Sequence, residues 1–362
     1  MLNIASYLAR QGHEVTILYS LAPFHQIVNN IVKDLDVQRL TLIRMPYIKV
    51  PTIETPLVLI NNELSRILNS SDIVYVHFAP PNDIILALMK QFSFRKIRSH
   101  FILGIHQDPF VSKLKMRLYR RLVMPISIRI FSCYHVLNTY TLNKLVNNFR
   151  ISRNKIFLIP NGVKIERFES CSDIRKPDMF TVLYVGKLCI EKGVPILLNI
   201  VKEINRSELR DRIRFFIAGQ GPLAPLVRKI SSKYNNVVYL GYVEPSQIAS
   251  IYKNSHVLLL PSLSEMMPLT IIEAQYCGLP VVTTDLPTLR EIVKLGHGII
   301  VQKYNVNSFI QAIRFYFNLW YNDREGYIEM MESIRSEAIQ KYDIRRMLRM
   351  FEKMLIKCLD ID

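Results

Sequence analysis

The sequence has little glycine, few cysteines and no long apolar run. Only 12 of its 362 residues are glycine and nearly half are apolar, a composition that excludes a disordered or fibrous chain and indicates a globular protein. The longest apolar stretch, 122–137, is shorter than the ~20 residues that cross a bilayer and contains Arg129, so we predict no transmembrane helix. The first residues lack the basic and apolar segments of a secretory signal, so we expect none.

The cysteines are odd in number and widely scattered, and no two of them form a CxxC pair. This pattern predicts a reducing, cytoplasmic compartment and disfavours both a disulfide framework and a zinc site. The five positions are Cys133, Cys171, Cys189, Cys277 and Cys358. We therefore expect five separate thiols.

The net charge is +17, and most of the excess lies in the first half of the chain. A basic face attracts nucleic acid, acidic lipid or a charged substrate, but it is also compatible with an ordinary solvated surface. No helix-turn-helix, zinc-finger or aromatic RNA-binding signature occurs, so we expect no nucleic-acid partner. The segment KLKMRLYRRLVM (113–124) alternates cations with apolar residues. This pattern is typical of a helix that lies on an anionic membrane, and it also suits a helix that packs on a sheet.

Strands alternate with helices along the chain, which predicts βαβ units with parallel sheets and an α/β fold. A polar, irregular stretch at 169–178 is interpreted as a linker. We predict an N-terminal domain over 1–170, a C-terminal domain over 177–340, and a final helix in 341–362 that crosses back to the N-terminal domain. Predicted strands of the first domain are 14–19, 39–43, 72–78, 100–105, 133–137 and 155–159; predicted helices are 2–11, 56–69, 81–91, 112–123 and 140–149.

The final helix is predicted to be amphipathic over 345–359. Its apolar stripe is expected to pack on a core. The stripe consists of Met347, Leu348, Phe351, Leu355 and Leu359.

The stretch SEMMPLTIIEAQYCGLP (264–280) contains two acids, Glu265 and Glu273, separated by seven residues. A helix is predicted over 268–277, because proline suits the first helical turn and Gly278 suits the position after the last. Glu265 then lies at the carboxyl end of a parallel strand, where ligands bind in open α/β sheets. The helix start offers N–H groups to a phosphate, and the two carboxylates suit a polyhydroxylated group such as a sugar or ribose.

Two further strand ends in the second half are candidate phosphate sites. VGKLCIEKG (185–193) places Lys187 and Lys192 after a strand that ends in Gly186, and two ammonium groups can hold a diphosphate. AGQGP (218–222) is a strand-to-helix turn containing Gly219. Taken singly, each of the three motifs also has an ordinary interpretation. The lysines can be surface residues, the glycines can form a tight turn, and the acids can lie on the surface.

Taken together and in this order, the three motifs resemble those of the retaining glycosyltransferases of family 4. The resemblance extends to GHEVTIL (12–18), DIVYVH (72–77), IPNGV (159–163) and the run from Tyr239 to Ser262, and so covers nearly the whole chain. It implies the GT-B architecture, in which two Rossmann-like domains face each other across a cleft. It also implies transfer of a sugar from a nucleotide-diphosphate donor to a glycan or lipid-linked acceptor, without cofactor or metal, in the cytoplasm or at the cytoplasmic membrane face.

The resemblance also implies roles for individual residues. Glu265 corresponds to the acid beside the donor sugar, Glu273 to the acid that holds the ribose, and His106 to a histidine near the transferred sugar. Lys187 and Lys192 correspond to the basic pair on the diphosphate. The strand-end glycines Gly186 and Gly219 and the main chain of Met267, Pro268, Leu269 and Thr270 complete the expected donor site. Asp34-Leu35-Asp36, a DxD sequence, precedes a strand and is interpreted as a solvated turn rather than a metal site.

Three departures from the family pattern stand out. Lys187 replaces the usual arginine and loses the bidentate grip on phosphate, and Met266 replaces a glycine and narrows the expected pocket. The chain also begins within the first helix, so the first strand and its glycine-rich loop are expected to be missing, either through a misplaced start or through truncation. An active transferase and a catalytically inactive GT-B module that only binds or scaffolds therefore both remain open.

Overall fold

A computed structural model describes residues 2–19, 39–45, 47–48, 57–58, 61–78, 82–92, 97–106, 121, 124–173, 176–293 and 296–361. The chain divides into two compact units. Unit 1 comprises 1–137, 141–159 and 348–362, and unit 2 comprises 138–140 and 160–347. The predicted turn at 34–36 and nearly all of the predicted helix at 112–123 lie outside the described residues.

Unit 1 contains parallel strands with intervening helices, as predicted. β5 to β8 form one parallel sheet in sequence order, β1 and β2 form a separate parallel pair, and β3 and β4 pair antiparallel. The strands are β1 (Val15–Tyr19), β2 (Leu40–Arg44), β3 (Tyr47–Ile48), β4 (Leu57–Val58), β5 (Ile73–His77), β6 (His100–Ile105), β7 (Cys133–Val136) and β8 (Ile156–Leu158). The helices are α1 (Leu2–Arg10), α2 (Asn62–Ser70), α3 (Asn82–Phe92), α4 (Met124–Ser127) and α5 (Thr139–Phe149).

The family resemblance predicts a further strand between β1 and β5. Within the described part of the chain, β1 pairs only with β2 and β5 only with β6, so the two parallel sheets of unit 1 are separate. The predicted helix at 56–69 is wrong at Leu57–Val58, which form β4. It begins at Asn62 because the side chain of Asn61 accepts the Leu64 N–H at 2.8 Å and thereby caps the helix.

Unit 2 is built on a six-stranded parallel sheet with strand order β11-β10-β9-β12-β13-β14. Its strands are β9 (Phe180–Val185), β10 (Ile213–Ala218), β11 (Val237–Gly241), β12 (Val257–Leu260), β13 (Val281–Thr284) and β14 (Gly298–Val301). From β9 the chain runs outward to β11 and then returns to place β12 on the other side of β9. The pair β9 and β12 is therefore the topological switch point, where open α/β sheets bind their ligands.

The helices of unit 2 pack on this sheet around a continuous apolar core. They are α6 (Val194–Ile204), α7 (Ala224–Lys233), α8 (Ile248–Lys253), α9 (Leu269–Tyr276), α10 (Val306–Asn322) and α11 (Arg324–Tyr342). Phe180, Phe215 and Phe309 are fully buried in that core. Burial of each such ring stabilises the unit by roughly 2–3 kcal/mol. The predicted linker begins within a 3-10 helix, Ile165–Ser172, that belongs to unit 2.

The last helix, α12 (Ile344–Leu359), differs from its predicted apolar stripe. Leu348 and Phe351 are buried as expected, but Leu359 is 44% exposed, and Met354 and Cys358 are buried instead. The buried positions are three to four residues apart, so the buried face of the helix shifts gradually around its axis. At the end of the helix this face contains Cys358 and not Leu359. None of the described helices combines the length and the apolar character needed to cross a membrane.

The expectation of five separate thiols is wrong in the structure. Cys133 is paired with Cys358 and Cys171 with Cys277, with Cα–Cα distances of 6.1 and 4.9 Å, both in the range of a disulfide. The paired residues are 225 and 106 positions apart in sequence. Spacing within the chain could not reveal these pairs, because the fold alone brings β7 near α12 and the 3-10 helix near the end of α9. Cys189 is free.

Candidate active site

Three loops meet at the carboxyl edge of the unit 2 sheet, and backbone hydrogen bonds connect them. The loop after β9 is joined to the turn after β10 by Gly186 N–H to Ala218 O at 3.1 Å and Leu188 N–H to Gln220 O at 2.8 Å. Leu263 N–H, in the loop after β12, donates to Glu191 O at 2.8 Å. The lysine loop, the glycine turn and the loop that carries Glu265 therefore form one connected surface at the switch point.

Two glycines allow this close approach. Gly219 has φ +138°, and a Cβ there would lie 1.8 Å from the carbonyl oxygen of Gly186. Gly193 has φ +71°, and its Cβ would lie 1.8 Å from the carbonyl oxygen of Pro261. A side chain at either position would force the lysine loop away from its neighbours, so glycine is required by space as well as by backbone conformation.

Lys192 forms an ion pair with Glu265 at the centre of this surface. Its Nζ lies 2.6 Å from Glu265 Oε1, and Glu265 is only 8% exposed. Lys187 is exposed to solvent. The buried hydroxyl of Tyr184 in β9 donates to the carbonyl oxygens of Lys187 at 3.1 Å and Lys192 at 3.3 Å, and so holds both ends of the lysine loop. Burial raises the pKa of Tyr184 well above its usual range, so its hydroxyl stays a donor.

Three consecutive carbonyls next to Glu265 are each held by a polar side chain. Thr288 Oγ1 donates to Glu265 O at 2.6 Å, Asn138 Nδ2 to Met266 O at 3.0 Å, and Asn161 Nδ2 to Met267 O at 2.9 Å. In a trans peptide the C=O and N–H groups point in opposite directions. Fixing these carbonyls therefore also fixes the N–H groups of Met266 and Met267 on the opposite side.

The helix that follows adds two more donors. Pro268 has no N–H and immediately precedes α9, and Ile271 N–H donates to Pro268 O at 3.2 Å. The N–H groups of Leu269 and Thr270 belong to the first turn, which has no intrahelical acceptor, and they find no partner among the described residues. The start of α9 thus presents N–H groups and a partial positive charge beside the ion pair.

We expect the asparagine that holds Met267 to matter for ligand affinity. Replacing Asn161 with alanine removes one hydrogen bond, worth about 1–1.5 kcal/mol, and should weaken nucleotide-sugar binding roughly tenfold when measured by titration calorimetry. Asn254→Ala is the matched control, because the exposed Asn254 amide also donates to a backbone carbonyl but at the end of α8. Undiminished binding by Asn161→Ala would show that the tether has no role in affinity.

Glu273 lies in the second turn of α9 and is held from two sides. Tyr252 donates its hydroxyl to Glu273 Oε2 at 3.1 Å, and Arg167 Nη1 lies 4.0 Å from Oε1. Burial raises the pKa of Glu273, an effect that the Tyr252 hydrogen bond and the Arg167 charge oppose. Among the described residues, Oε1 accepts no hydrogen bond, so it can accept hydrogen bonds from a ligand.

His106 lies in unit 1, one residue beyond the end of β6. It belongs to a histidine cluster with His77 and His135, whose ring centroids lie 5.0 and 4.8 Å from that of His106. Tyr75 lies within hydrogen-bond distance of two of these rings, 2.8 Å from His106 Nε2 and 2.7 Å from His135 Nδ1. Burial lowers the pKa of all three histidines, to about 4 for His77, about 2 for His106 and about 4 for His135.

The lowered pKa values predict acid sensitivity of the fold. A histidine in the unfolded chain has a pKa near 6.5. Below that pH the unfolded state binds protons that the folded state does not bind, so the free energy of unfolding decreases as the pH falls towards 4. His77 Nε2 is buried with no partner among the described residues, so His77→Phe should preserve stability at pH 7.5. Between pH 7.5 and 5 the unfolding free energy of the variant, from urea titrations, should fall by about 2 kcal/mol less than that of the wild type. Equal losses in the two proteins would contradict the prediction.

The structure brings together the predicted residues of unit 2, whereas His106 belongs to unit 1. Sequence reasoning missed the residues that hold the site: Tyr184, Tyr252, Arg167, Asn138, Asn161 and Thr288. Two of them had a local signal, Asn161 within the IPNGV motif and Tyr252 within the run from Tyr239 to Ser262. In the described ranges, no group of three or more His, Cys, Asp or Glu side chains is arranged to hold a metal ion.

Two parallel α/β units, the second with its ligand edge at a switch point, place the chain in the GT-B class. Comparison with known proteins agrees. Residues 1–167 match the family model described as Glycosyltransferase Family 4, and residues 169–339 match Glycosyl transferases group 1. The chain is therefore a glycosyltransferase of the GT-B fold.

The sequence identity between this chain and individual known proteins is low. An uncharacterized 41.2 kDa protein in the cps region of Klebsiella pneumoniae is 26% identical over 76% of this chain and 77% of that protein. One component of the phosphatidylinositol N-acetylglucosaminyltransferase of Arabidopsis thaliana is 30% identical over 40% of this chain, which spans only 32% of its length. The crystal structure of Anabaena HepE with UDP and glucose shares the fold, with a TM-score of 0.72, 14% identity, and coverage of 98% of this chain and 95% of that one.

Proposed function

We propose that the protein transfers a sugar from a nucleotide-diphosphate sugar to a glycan or lipid-linked acceptor, with retention of configuration and without a metal ion. The observation that carries the proposal is the Lys192–Glu265 ion pair at the switch point of unit 2, next to N–H groups fixed by the carbonyl tethers. A cation, an acid and oriented amide donors within one connected surface are the groups that a diphosphate and a sugar require.

Each residue of the surface has a role in this proposal. Lys187 and Lys192 bind the donor diphosphate, and the N–H groups of Leu269 and Thr270 bind the same phosphates at the helix start. Glu265 lies beside the donor sugar, and Glu273 accepts hydrogen bonds from the ribose through Oε1. Gly186 and Gly219 allow the main chain to approach closely.

The proposed chemistry is breakage of the bond between the anomeric carbon and the diphosphate. Negative charge develops on the leaving phosphate, where the two lysines and the helix start stabilise it. The sugar gains oxocarbenium character beside the Glu265 carboxylate. An acceptor hydroxyl attacks from the face that the phosphate leaves, which retains the configuration. The lysines supply the positive charge that a metal ion provides in other transferases.

The proposed acceptor is a glycan or a lipid-linked sugar chain. The Arabidopsis relative is named for phosphatidylinositol, which supports a lipid-linked acceptor. The segment expected to contact an anionic membrane, 113–124, lies almost wholly outside the described residues. The cytoplasmic location and the membrane contact stay predictions.

A thermal-shift screen across UDP-, GDP- and ADP-sugars tests donor binding. A bound donor at 100 times its dissociation constant stabilises the protein by about 2.7 kcal/mol, which should raise the melting temperature by roughly 5 °C. Glu273→Gln should reduce the shift, because a neutral amide accepts ribose hydrogen bonds less strongly than a carboxylate. Absence of a shift with every donor would contradict the proposal.

A second candidate is a module that binds the nucleotide sugar without transferring it. In the described part of unit 1 the pair β1-β2 is separate from the sheet β5-β8, and this separation on the acceptor side favours this candidate. A thermal shift with no release of nucleotide in the presence of acceptor would support it.

A further inference from the structure

The histidine cluster of unit 1 lies on one face of the β5-β6-β7 sheet. His77 of β5 pairs with Gly104 of β6, and Gly104 pairs with His135 of β7. Side chains alternate between the faces of a strand, so Tyr75, two residues before His77, and His106, two residues after Gly104, project to the same side. His77 and His135 therefore lie on the two strands that flank β6, with Gly104 of β6 between them, and His106 follows the end of β6.

Gly104 leaves the space that Tyr75 occupies. A Cβ on Gly104 would lie 2.0 Å from the Tyr75 hydroxyl oxygen, so the tyrosine ring crosses β6 directly above the glycine. Because of this gap, the hydroxyl of Tyr75 in β5 reaches His135 in β7, which is not a hydrogen-bonded neighbour of β5. Phe351 of α12 packs against both Tyr75 and His135, with ring centroids 5.1 and 5.5 Å away.

Only one assignment of donors and acceptors is consistent with the hydrogen bonds of this cluster. His135 Nε2 lies 2.9 Å from the carbonyl oxygen of Ile159, which can only accept, so Nε2 carries the proton. His135 is buried and neutral, so its Nδ1 has a lone pair, and the hydroxyl of Tyr75 must donate to it at 2.7 Å. That hydroxyl has a single hydrogen. At 2.8 Å from His106 Nε2 it therefore accepts, and His106 carries its proton on Nε2.

We propose that Tyr75 and His135 are positioning residues that hold His106 as its Nε2–H tautomer, so that His106 Nδ1 accepts a hydrogen bond from a hydroxyl group of a bound sugar. The identity of the ligand as a sugar rests on the function proposed above, whereas the tautomer does not. In the opposite tautomer, Nδ1 would be a donor suited to a phosphate or carboxylate. Through Tyr75 and His135, the carbonyl of Ile159 thus makes His106 Nδ1 an acceptor, which requires a hydrogen-bond donor such as a hydroxyl as its partner.

The tautomer is measured without any substrate, by ¹⁵N NMR of the histidine rings in the intact protein. We expect both His106 and His135 to show a protonated Nε2 and an unprotonated Nδ1. In Tyr75→Phe, which keeps the ring and the fold, the His106 signals should shift towards a mixture of tautomers. Tyr304→Phe, which changes a tyrosine that is 68% exposed, should leave them unchanged. A wild-type His106 protonated on Nδ1, or His106 signals that Tyr75→Phe does not alter, would overturn the proposal.

A pair of variants at His135 separates positioning from simple packing. In His135→Gln the side-chain amide can accept from Tyr75 and donate to Ile159, whereas His135→Phe fills the space without either bond. If the relay positions His106, kcat should fall roughly tenfold in His135→Phe, with the donor KM little changed, and recover to within about threefold in His135→Gln. Equal activity of the two variants would overturn the role in transfer. A failure of the proposed function would appear separately, as absence of a thermal shift with every donor while the NMR result stands.

Discussion

Replacing Lys192 with alanine should lower the rate of sugar transfer at least ~100-fold, because a single contact that stabilises charge in the transition state is worth roughly 3–4 kcal/mol. In the structure the Lys192 ammonium is the cation 2.6 Å from the Glu265 carboxylate. The substitution removes a charge from the proposed diphosphate site and leaves a buried acid without its partner. Both effects act at the bond that breaks, so we expect the loss mainly in kcat.

The matched control for this variant is Lys229→Ala. Lys229 is an exposed lysine of α7 in the same unit, and its removal changes the net charge equally. Its rate should stay within about twofold of wild type, since surface substitutions away from the site rarely matter. If Lys192→Ala also kept transfer within about threefold of wild type, the assignment of the lysine loop to the diphosphate would be wrong.

Replacing Glu265 with glutamine should also reduce kcat at least ~100-fold, with little change in the donor KM. Glutamine keeps the size of the side chain and its ability to accept from Lys192, but it removes the negative charge proposed to face the developing oxocarbenium ion. An interaction made only in the transition state lowers kcat and kcat/KM equally. Steady-state kinetics with varied donor concentration separates this outcome from a loss of binding.

Glu203→Gln is the corresponding control. Glu203 is an exposed acid of α6 that pairs with Arg206 at 2.7 Å, and such surface pairs contribute little. The double variant Lys192→Ala/Glu265→Gln adds a further check, because residues that act as one unit are not additive. Its loss should be close to that of either single variant. A loss equal to the product of the two would mean that the ion pair does not work as a unit.

The architecture of unit 2 could be predicted because its signals are local. The strand before Gly186, the turn at Gly219 and the helix at 268–277 each have their own apolar run or terminating residue, and the helix lies at Leu269–Tyr276. Parallel strands share their carboxyl edge, so the lysine loop and Glu265 were expected to meet. The register of β9 with β12 in the structure puts them on adjacent strands.

Several residues that hold the site could not be predicted, because they come from distant parts of the chain. Asn138 and Met266 are 128 positions apart, and Tyr75 and His135 are 60 positions apart. Their contacts depend on strand register and on the empty space above Gly104, neither of which a single sequence displays. The cysteine pairs were missed for the same reason.

The most direct test of the central claim is a transfer assay with the donor selected by thermal shift and a glycan acceptor, followed by NMR of the anomeric proton of the product. We expect that one nucleoside diphosphate is released per sugar transferred, that chelation of metal ions does not change the rate, and that the new bond keeps the configuration of the donor. Release of no nucleotide with any donor, or a product of inverted configuration, would contradict it.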